Sequence, residues 1–207
     1  MKLVFASNNA HKLSEVRAMM PAGVEVLSLH EIGFEAEIEE TGKTLEENSL
    51  IKAKTVWDWI VESRKSKVKS IDGVFADDTG LEIDALNGEP GVYTARWAGS
   101  PAANRQKAIR ELEGKDNRDC QFRTVITLLM NGDAPLNGGM IQVEGIVRGR
   151  IAEQEFGEGG FGYDPVFIPE GYDKTFGELP AELKNHISHR ARAIQELVRV
   201  LNDGMMD

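Results

Sequence analysis

VFADDTGLEID, residues 74–84, is the stretch on which the reading of the fold turns. Three apolar, β-prone residues are followed by two adjacent carboxylates, Asp77 and Asp78, and then by Thr79-Gly80. This order predicts a strand over VFA, a tight turn at DDTG and a second strand over LEIDAL, closed by NGEPG. Paired acids where a strand ends suit a hard divalent cation. Mg²⁺ prefers oxygen ligands and is commonly held by one or two carboxylates together with the phosphates of a substrate. A solvated turn is the plainer reading of the same four residues.

Working outward, KLVFA at the N-terminus is a strand that runs into SNNAHK, residues 7–12, whose small polar residues can turn the chain and cap a helix. That helix, HKLSEVRAMM, ends at Pro21, and VEVLSL supplies a second strand. After the acidic stretch FEAEIEETG, TLEENSLIKAKTVWDWIV has apolar residues at helical spacing. Thr44 and Glu47 have the spacing of a capping box, which places Thr44, Asn48 and Lys52 on one helix face. ESRKSKVKS follows as a basic connector. Further on, Pro101 suits the first turn of a helix from Ala102 to about Leu112, with Gly114 just beyond. CQFRTVITLLM and GMIQVEGIVRGRI read as strands joined by the hairpin signal NGDAPLNGG. The glycine-rich EFGEGGFGYDP comes next. SHRARAIQELVRVLN closes the chain as a helix capped by Ser188, with an apolar stripe at Ile194, Leu197, Val198 and Leu201. Strands mix with helices in no strict βαβ alternation, which predicts one α/β or α+β domain with a long mixed sheet.

Composition bounds the function. The 207 residues are 41% hydrophobic and 28% charged with seven prolines, as in ordinary globular proteins. A net charge of −10 repels a polyanion, which argues against a nucleic-acid partner but not against a small anion carried with a metal ion. The single cysteine, Cys120, opens an apolar strand and reads as core filling; it forms no internal disulfide, which fits a reducing compartment. No stretch approaches the roughly 20 apolar residues of a membrane helix, and MKLVFASNNAHK is too short in apolar length for a signal peptide. The expected location is the cytoplasm, with no membrane partner.

Several residues can carry chemistry. Glu39 and Glu40 precede a Thr-Gly, and Glu46 and Glu47 open the following helix, so carboxylates gather near elements that can meet Asp78; Glu35, Glu37 and Glu39 read as a solvated face. Lys52, one turn from Asn48, can reach a bound phosphate or merely snorkel. In SNNAHK, backbone N–H groups and Lys12 can hold an anion at the positive end of a helix, although the spacing of a P-loop or a Rossmann turn is missing. Ser188, His189 and Arg190 likewise open a helix, as donors to an anion or a base edge, or as a cap with two exposed basic side chains. GEGGFGYDP places Phe161 and Tyr163 among glycines with Asp164 before a proline. Such a ring can stack on a base, worth roughly 1–3 kcal/mol, or tuck into the core. Acids for a metal, cations for phosphates, a stacking ring and base-edge donors together make the inventory of a nucleoside triphosphate site.

At this point the sequence resembles the Ham1-like, or inosine triphosphate pyrophosphatase, family along nearly its whole length. The resemblance lies in SNNAHK at 7–12, EETG at 39–42, ENSLIKAK at 47–54, ADDTGLEIDAL at 76–86, GEPGVYTARWAG at 88–99, GGFGYDPVF at 159–167 and ELPAELKNHISHRARA at 178–193. It implies a single domain over residues 1–207 with an elongated mixed sheet, flanking helices and two lobes around a central cleft. It also implies a homodimer, a Mg²⁺ requirement, and hydrolysis of ITP, dITP or XTP to the monophosphate and pyrophosphate. By position, the resemblance makes Asp78 the general base and metal-side acid and Glu40 the second metal carboxylate. Thr79 becomes a substrate contact, and Lys12, Asn9 and Lys52 grip the triphosphate with Ser7 and Asn8 in the same motif. Phe161, beside Gly162 and Tyr163, would stack on the purine, while Asp164, Lys184, Ser188, His189 and Arg190 read its edge. Hypoxanthine and xanthine carry a 6-oxo group where adenine has an amine, so donors near that oxygen favour them. Guanine shares the 6-oxo group, so rejecting it needs a feature set against its 2-amine. The family's first motif has a glycine where this chain has Asn8, a residue that tolerates positive φ.

The mechanism expected from these roles is in-line attack of water on the α-phosphorus. Asp78 would orient or deprotonate the water, and Mg²⁺, Lys12 and Lys52 would offset the developing charge. Two other readings fit the same pocket chemistry: a pyrophosphatase for another modified nucleotide, and a nucleotide-binding regulator without catalysis.

Overall fold

The computed structural model describes residues 1–63, 70–130 and 139–203. Positions 64–69 of the basic connector and 131–138 of the hairpin signal lie outside the described residues. The strands are β1 (Lys2–Phe5), β2 (Glu25–Leu27), β3 (Gly73–Ile83), β4 (Pro90–Gly91), β5 (Asp119–Met130), β6 (Met140–Ile151) and β7 (Phe167–Pro169). The helices are α1 (Ala10–Met19), α2 (Leu29–Ile32), α3 (Leu45–Glu62), α4 (Pro101–Glu111), α5 (Ala181–Ile187) and α6 (His189–Asp203). The sheet runs β2-β1-β3-β5-β6-β7, with β4 paired to β3. β1 lies parallel to both β2 and β3, whereas β3–β4 and β6–β7 are antiparallel, so the expected mixed α/β sheet is what forms. Parallel neighbours need crossover connections, and α1 and α3 are the principal helices of the two that flank β1.

The chain divides into two compact units: Met1–Asp78, Val125–Glu144 and Ala193–Asp207 form the first, Thr79–Thr124 and Gly145–Arg192 the second. In the first unit, β1 and β3 are covered on both faces, as parallel strands usually are. Val4, Ala6, Val74 and Ala76 pack with Ala53, Val56 and Ile60 of α3. The alternate residues Leu3, Phe5 and Phe75 pack with Val16 of α1 and with Ala193, Ile194, Leu197 and Leu201 of α6. Phe5 and Phe75, which are register partners, stack with ring centres 5.0 Å apart. The second unit builds its own core from Leu81, Ile83, Ala108, Leu112, Cys120, Phe122, Val147, Ile151, Tyr163, Val166, Phe167 and Phe176.

The expected turn at DDTG is not there. β3 continues unbroken through all four residues, because each acid finds a lysine partner and Thr79 a hydroxyl partner, and these contacts override the local preference for a turn. The capping box at Thr44 is half formed: Thr44 Oγ1 accepts the Glu47 N–H at 3.1 Å, while the Glu47 carboxylate takes the N–H of Lys43 rather than that of Thr44. A complete capping box forms one element earlier, between Ser28 and Glu31, at the start of the unforeseen α2. β4, β7 and α5 were also not foreseen; two or three residues of strand leave too little alternation to read. α4 begins at Pro101 behind the cap of Ser100, and the α6 stripe is buried as expected except for the half-buried Val198. Among the described residues no helix is long and apolar enough to cross a membrane.

Phe75 is fully buried and central to the first unit. Phe75→Ala should lower stability by about 3–5 kcal/mol, read as a shift in the urea midpoint.

Candidate functional site

Successive residues of a strand point to opposite faces, and this sets the geometry around Asp77 and Asp78. Ala76 belongs to the face covered by α3, so Asp78 shares that face; Asp77 shares the face of Phe75, which α1 helps to cover. Each buried acid therefore meets a lysine from a different helix. Asp77, 2% exposed, binds Lys12 Nζ through both oxygens at 3.0 and 2.9 Å. Asp78, 8% exposed, has Lys52 Nζ at 3.3 Å from Oδ1, and the same ammonium lies 3.4 Å from Glu40 Oε1.

Lys12 is placed by the turn before α1. Asn9 Oδ1 accepts the N–H of Lys12 at 3.1 Å and so caps the helix, while Ser7 Oγ accepts the N–H of Asn9 at 3.2 Å. Asn8 is exposed and does not take a left-handed conformation; Asn87 is the one non-glycine residue that does so among those described. The turn thus needs nothing that only a glycine supplies. On α3, Asn48 and Lys52 follow Thr44 along one face and are buried, so Lys52 points into the acids instead of snorkelling to solvent. Glu35, Glu37 and Glu39 are exposed, as a solvated face should be, whereas Glu40 is half-buried.

Burial pushes the Asp78 carboxyl above the usual aspartate range; Lys52 opposes the rise and the Glu40 charge adds to it. Burial disfavours the Lys52 ammonium, but Asp78, Asp77 and Glu40 outweigh it, so its pKa is raised and the lysine stays charged. Asp78 Oδ2 and Asn48 Nδ2 are both buried without a hydrogen-bond partner; the amide favours the ionised acid without completing a bond of proper geometry. An unpartnered carboxylate oxygen beside a second carboxylate is a donor set that fits a hard divalent cation. Among the described residues no group of three or more His, Cys, Asp or Glu is placed to hold a metal by itself. Glu40 and Asp78 would share such an ion with oxygens from water or a ligand.

The second unit gathers most of the other predicted residues. Asp164, 6% exposed, accepts the Phe161 N–H at 2.7 Å and Lys184 Nζ at 2.6 Å through the same oxygen. Gly160 has φ +74°, and a Cβ there would fall on the Asp164 carboxylate, so only glycine lets the loop close over it. Lys184 Nζ lies 4.6 Å and the Arg190 guanidinium 5.7 Å from the centre of the Phe161 ring, which is 38% exposed. The two readings of the loop aromatics divide between them. Phe161 is displayed, and Tyr163 is tucked into the core, donating its hydroxyl to the Thr94 carbonyl at 3.0 Å. Gly162 fixes the loop from its carbonyl, which accepts Arg105 Nη1 at 2.9 Å. Ser188 caps α6, its Oγ accepting the N–H of Ala191 at 3.2 Å, and His189 and Arg190 behind it are buried rather than exposed.

Two residues with clear roles were not singled out in the sequence. Thr124 shares hydrogen bonds with Thr79 Oγ1 at 2.8 Å and with His189 Nδ1 at 2.7 Å, joining β3, β5 and the start of α6 through one hydroxyl. Its signal was a threonine inside the apolar run of CQFRTVITLLM. Asn104 holds the loop 94–98, donating to the carbonyls of Thr94 and Ala95 at 3.1 Å each and accepting the Ala98 N–H at 2.6 Å. In that loop Trp97 packs against the core of the second unit under Lys107, while Tyr93 is exposed.

A sequence model of the Ham1 family matches residues 3–200. The chain belongs to the Ham1 family. It is 46% identical over 204 residues to a dITP/XTP pyrophosphatase of Flavobacterium johnsoniae, covering 97% of this chain and 98% of that one. It is 43% identical to the dITP/XTP pyrophosphatase of Bacillus subtilis, with 96% of each chain covered. Among solved structures, the Staphylococcus aureus Ham1 protein superposes with a TM-score of 0.82 at 37% identity, over 98% of this chain and 99% of that one. A nucleoside-triphosphatase / dITP/XTP pyrophosphatase from Mycobacterium abscessus gives 0.72 at 37% identity, over 96% and 99%. The Ham1 fold is therefore that of this chain.

Thr124→Val keeps shape but removes the hydroxyl that serves both Thr79 and His189. The variant should lose about 1–3 kcal/mol of stability, measured by denaturant unfolding.

Proposed function

We propose that this Ham1-family protein hydrolyses non-standard purine nucleoside triphosphates, dITP, ITP and XTP, to the nucleoside monophosphate and pyrophosphate. The observation that carries the reaction chemistry is the convergence of Asp78 and Glu40 on Lys52, with one buried Asp78 oxygen left unpartnered. Near-complete coverage of relatives named for this activity supports the substrate class.

Mg²⁺ is the proposed cofactor, held by Glu40 and Asp78 with phosphate oxygens, and when bound it supplies Lewis-acid stabilisation of the charge that develops on the phosphates. Asp78, with its raised pKa, orients a water molecule in line with the α-phosphorus and accepts its proton. Lys52 neutralises charge on the reacting phosphate, and Lys12, held by Asp77, binds the polyphosphate beside the N–H groups of the Ser7–Asn9 turn. Phe161 takes the flat face of the purine. Lys184, Ser188, His189 and Arg190 provide donors for its 6-oxo edge, with Asp164 orienting Lys184. Residues 1–207 are proposed to work as one functional domain, as a homodimer in the cytoplasm, on free nucleotides.

The deciding assay is pyrophosphate release from ITP, XTP, GTP and ATP at equal concentration with Mg²⁺. Fast cleavage of ITP and XTP against slow cleavage of GTP and ATP is expected; equal rates for all four would reject the assigned base preference. Asp78→Asn should bind ITP yet lose turnover by roughly 100- to 10,000-fold. Because the base must be ionised, parent turnover should fall as pH drops through the raised Asp78 pKa, with the acid limb above the ordinary aspartate value. Lys52→Met should lose roughly 100-fold or more with every triphosphate alike, since the lysine is assigned to phosphate and not to base.

A further inference from the structure

We propose that Asn48 is a positioning residue that sets the Glu40 carboxylate against Asp78. The inference rests on the pyrophosphatase reading and concerns how its two acids are held. Asp78 is fixed by β3, but Glu40 lies in residues 34–44, which belong to no helix or strand. Something else must hold it in place.

Lys52 meets the Glu40 carboxylate, and a buried carboxamide ties the backbone just beyond it. Asn48 Oδ1 accepts the Gly42 N–H at 2.8 Å, two residues past Glu40, and Asn48 is fully buried on α3 one turn before Lys52. Loop and helix approach so closely that a Cβ on residue 42 would lie 2.6 Å from Asn48 Oδ1 and 2.7 Å from Glu47 Cβ. Glycine at 42 is therefore a condition of the contact. The other end of the same amide, Nδ2, has no hydrogen-bond partner, and neither has Asp78 Oδ2, whose ionised form the amide favours. The oxygen of Asn48 thus fastens the Glu40 loop while its nitrogen faces the Asp78 carboxylate, short of a well-aligned hydrogen bond. A residue serving only the packing of α3 would not turn one end of its amide to the loop and the other to the acid. Supporting groups of this kind change metal affinity by roughly 10- to 100-fold when removed.

The test is Mn²⁺ binding to the nucleotide-free full-length protein, followed by electron paramagnetic resonance, for the parent and for Asn48→Ala, Gly42→Ala, Glu40→Gln and the Asn48→Ala/Glu40→Gln double variant. Each single change should weaken Mn²⁺ binding about 10-fold, and the double should bind no more weakly than Glu40→Gln, because Asn48 acts through Glu40. Gly42→Ala breaks the same contact from the loop side and decides the matter where Asn48→Ala does not fold. In ITP turnover the Mg²⁺ concentration for half-maximal rate should rise for Asn48→Ala, with kcat recovering at saturating Mg²⁺. Parent-like Mn²⁺ binding in both Asn48→Ala and Gly42→Ala overturns the proposal, as does a double variant with additive losses or a parent that binds no Mn²⁺. A parent that binds Mn²⁺ and follows the cycle but releases no pyrophosphate from any purine triphosphate overturns the pyrophosphatase reading and leaves the role of Asn48 standing.

Discussion

The two-residue alternation of a buried parallel strand is the constraint on which the chemistry depends. Because Asp77 and Asp78 are neighbours in β3, their carboxylates must leave the strand on opposite faces, and both faces are covered. Two adjacent charges cannot be buried there unless each is met by a cation, since an unpaired carboxylate away from water is far too costly. α1 supplies Lys12 on one side and α3 supplies Lys52 on the other. The positions of both helices, and of the turn and loop that precede them, follow from that requirement.

The two pairs are not equivalent. Asp77 has both oxygens on Lys12. Lys52 instead serves two acids, so the Asp78–Glu40–Lys52 group has a surplus negative charge and an oxygen without a partner. That imbalance explains why the Asp78 pKa rises although a lysine stands beside it: burial and Glu40 together outweigh Lys52. Asp77 thus has a lysine on both its oxygens, while Asp78 is the acid with a buried oxygen short of a hydrogen-bond partner, which is why the proposed role with water is given to Asp78.

What the sequence revealed and what it hid follow one rule: features fixed by local pattern were legible, and features fixed by partners were not. A capped helix after SNNAHK, the long α3, the buried stripe of α6 and the mixed sheet all follow from spacing and composition. DDTG was misread because its turn preference is local, whereas the lysines that keep it extended come from 65 and 26 residues away. The same holds for Thr124, whose two partners are 45 and 65 residues distant, and for Tyr163, whose hydroxyl goes to Thr94. Single-residue chemistry singled out Asp78, Lys52, Lys12 and Phe161, and the fold sets each of them in a charged or ring-bearing cluster. It had no means of seeing that Asp77 and Asp78 face apart.

The way each group is held matches the precision that its proposed task demands. Asp78 and Lys52 stand on a central strand and a long helix, where a displacement of about 1 Å would already cost a large factor in rate. Phe161, by contrast, projects from a glycine-rich loop, since stacking on a flat base tolerates sliding in its plane. Yet that loop is tied: Asp164 holds its backbone at Phe161 and the Lys184 ammonium on one oxygen, so the ring and the ammonium share an anchor. Selectivity for a base edge depends on the donor keeping its distance from the stacking plane, and a shared carboxylate fixes that distance more directly than separate anchors would. On the proposed reading, a chain that relaxed the Asp164 contact would still display the ring but would no longer hold the Lys184 ammonium against it.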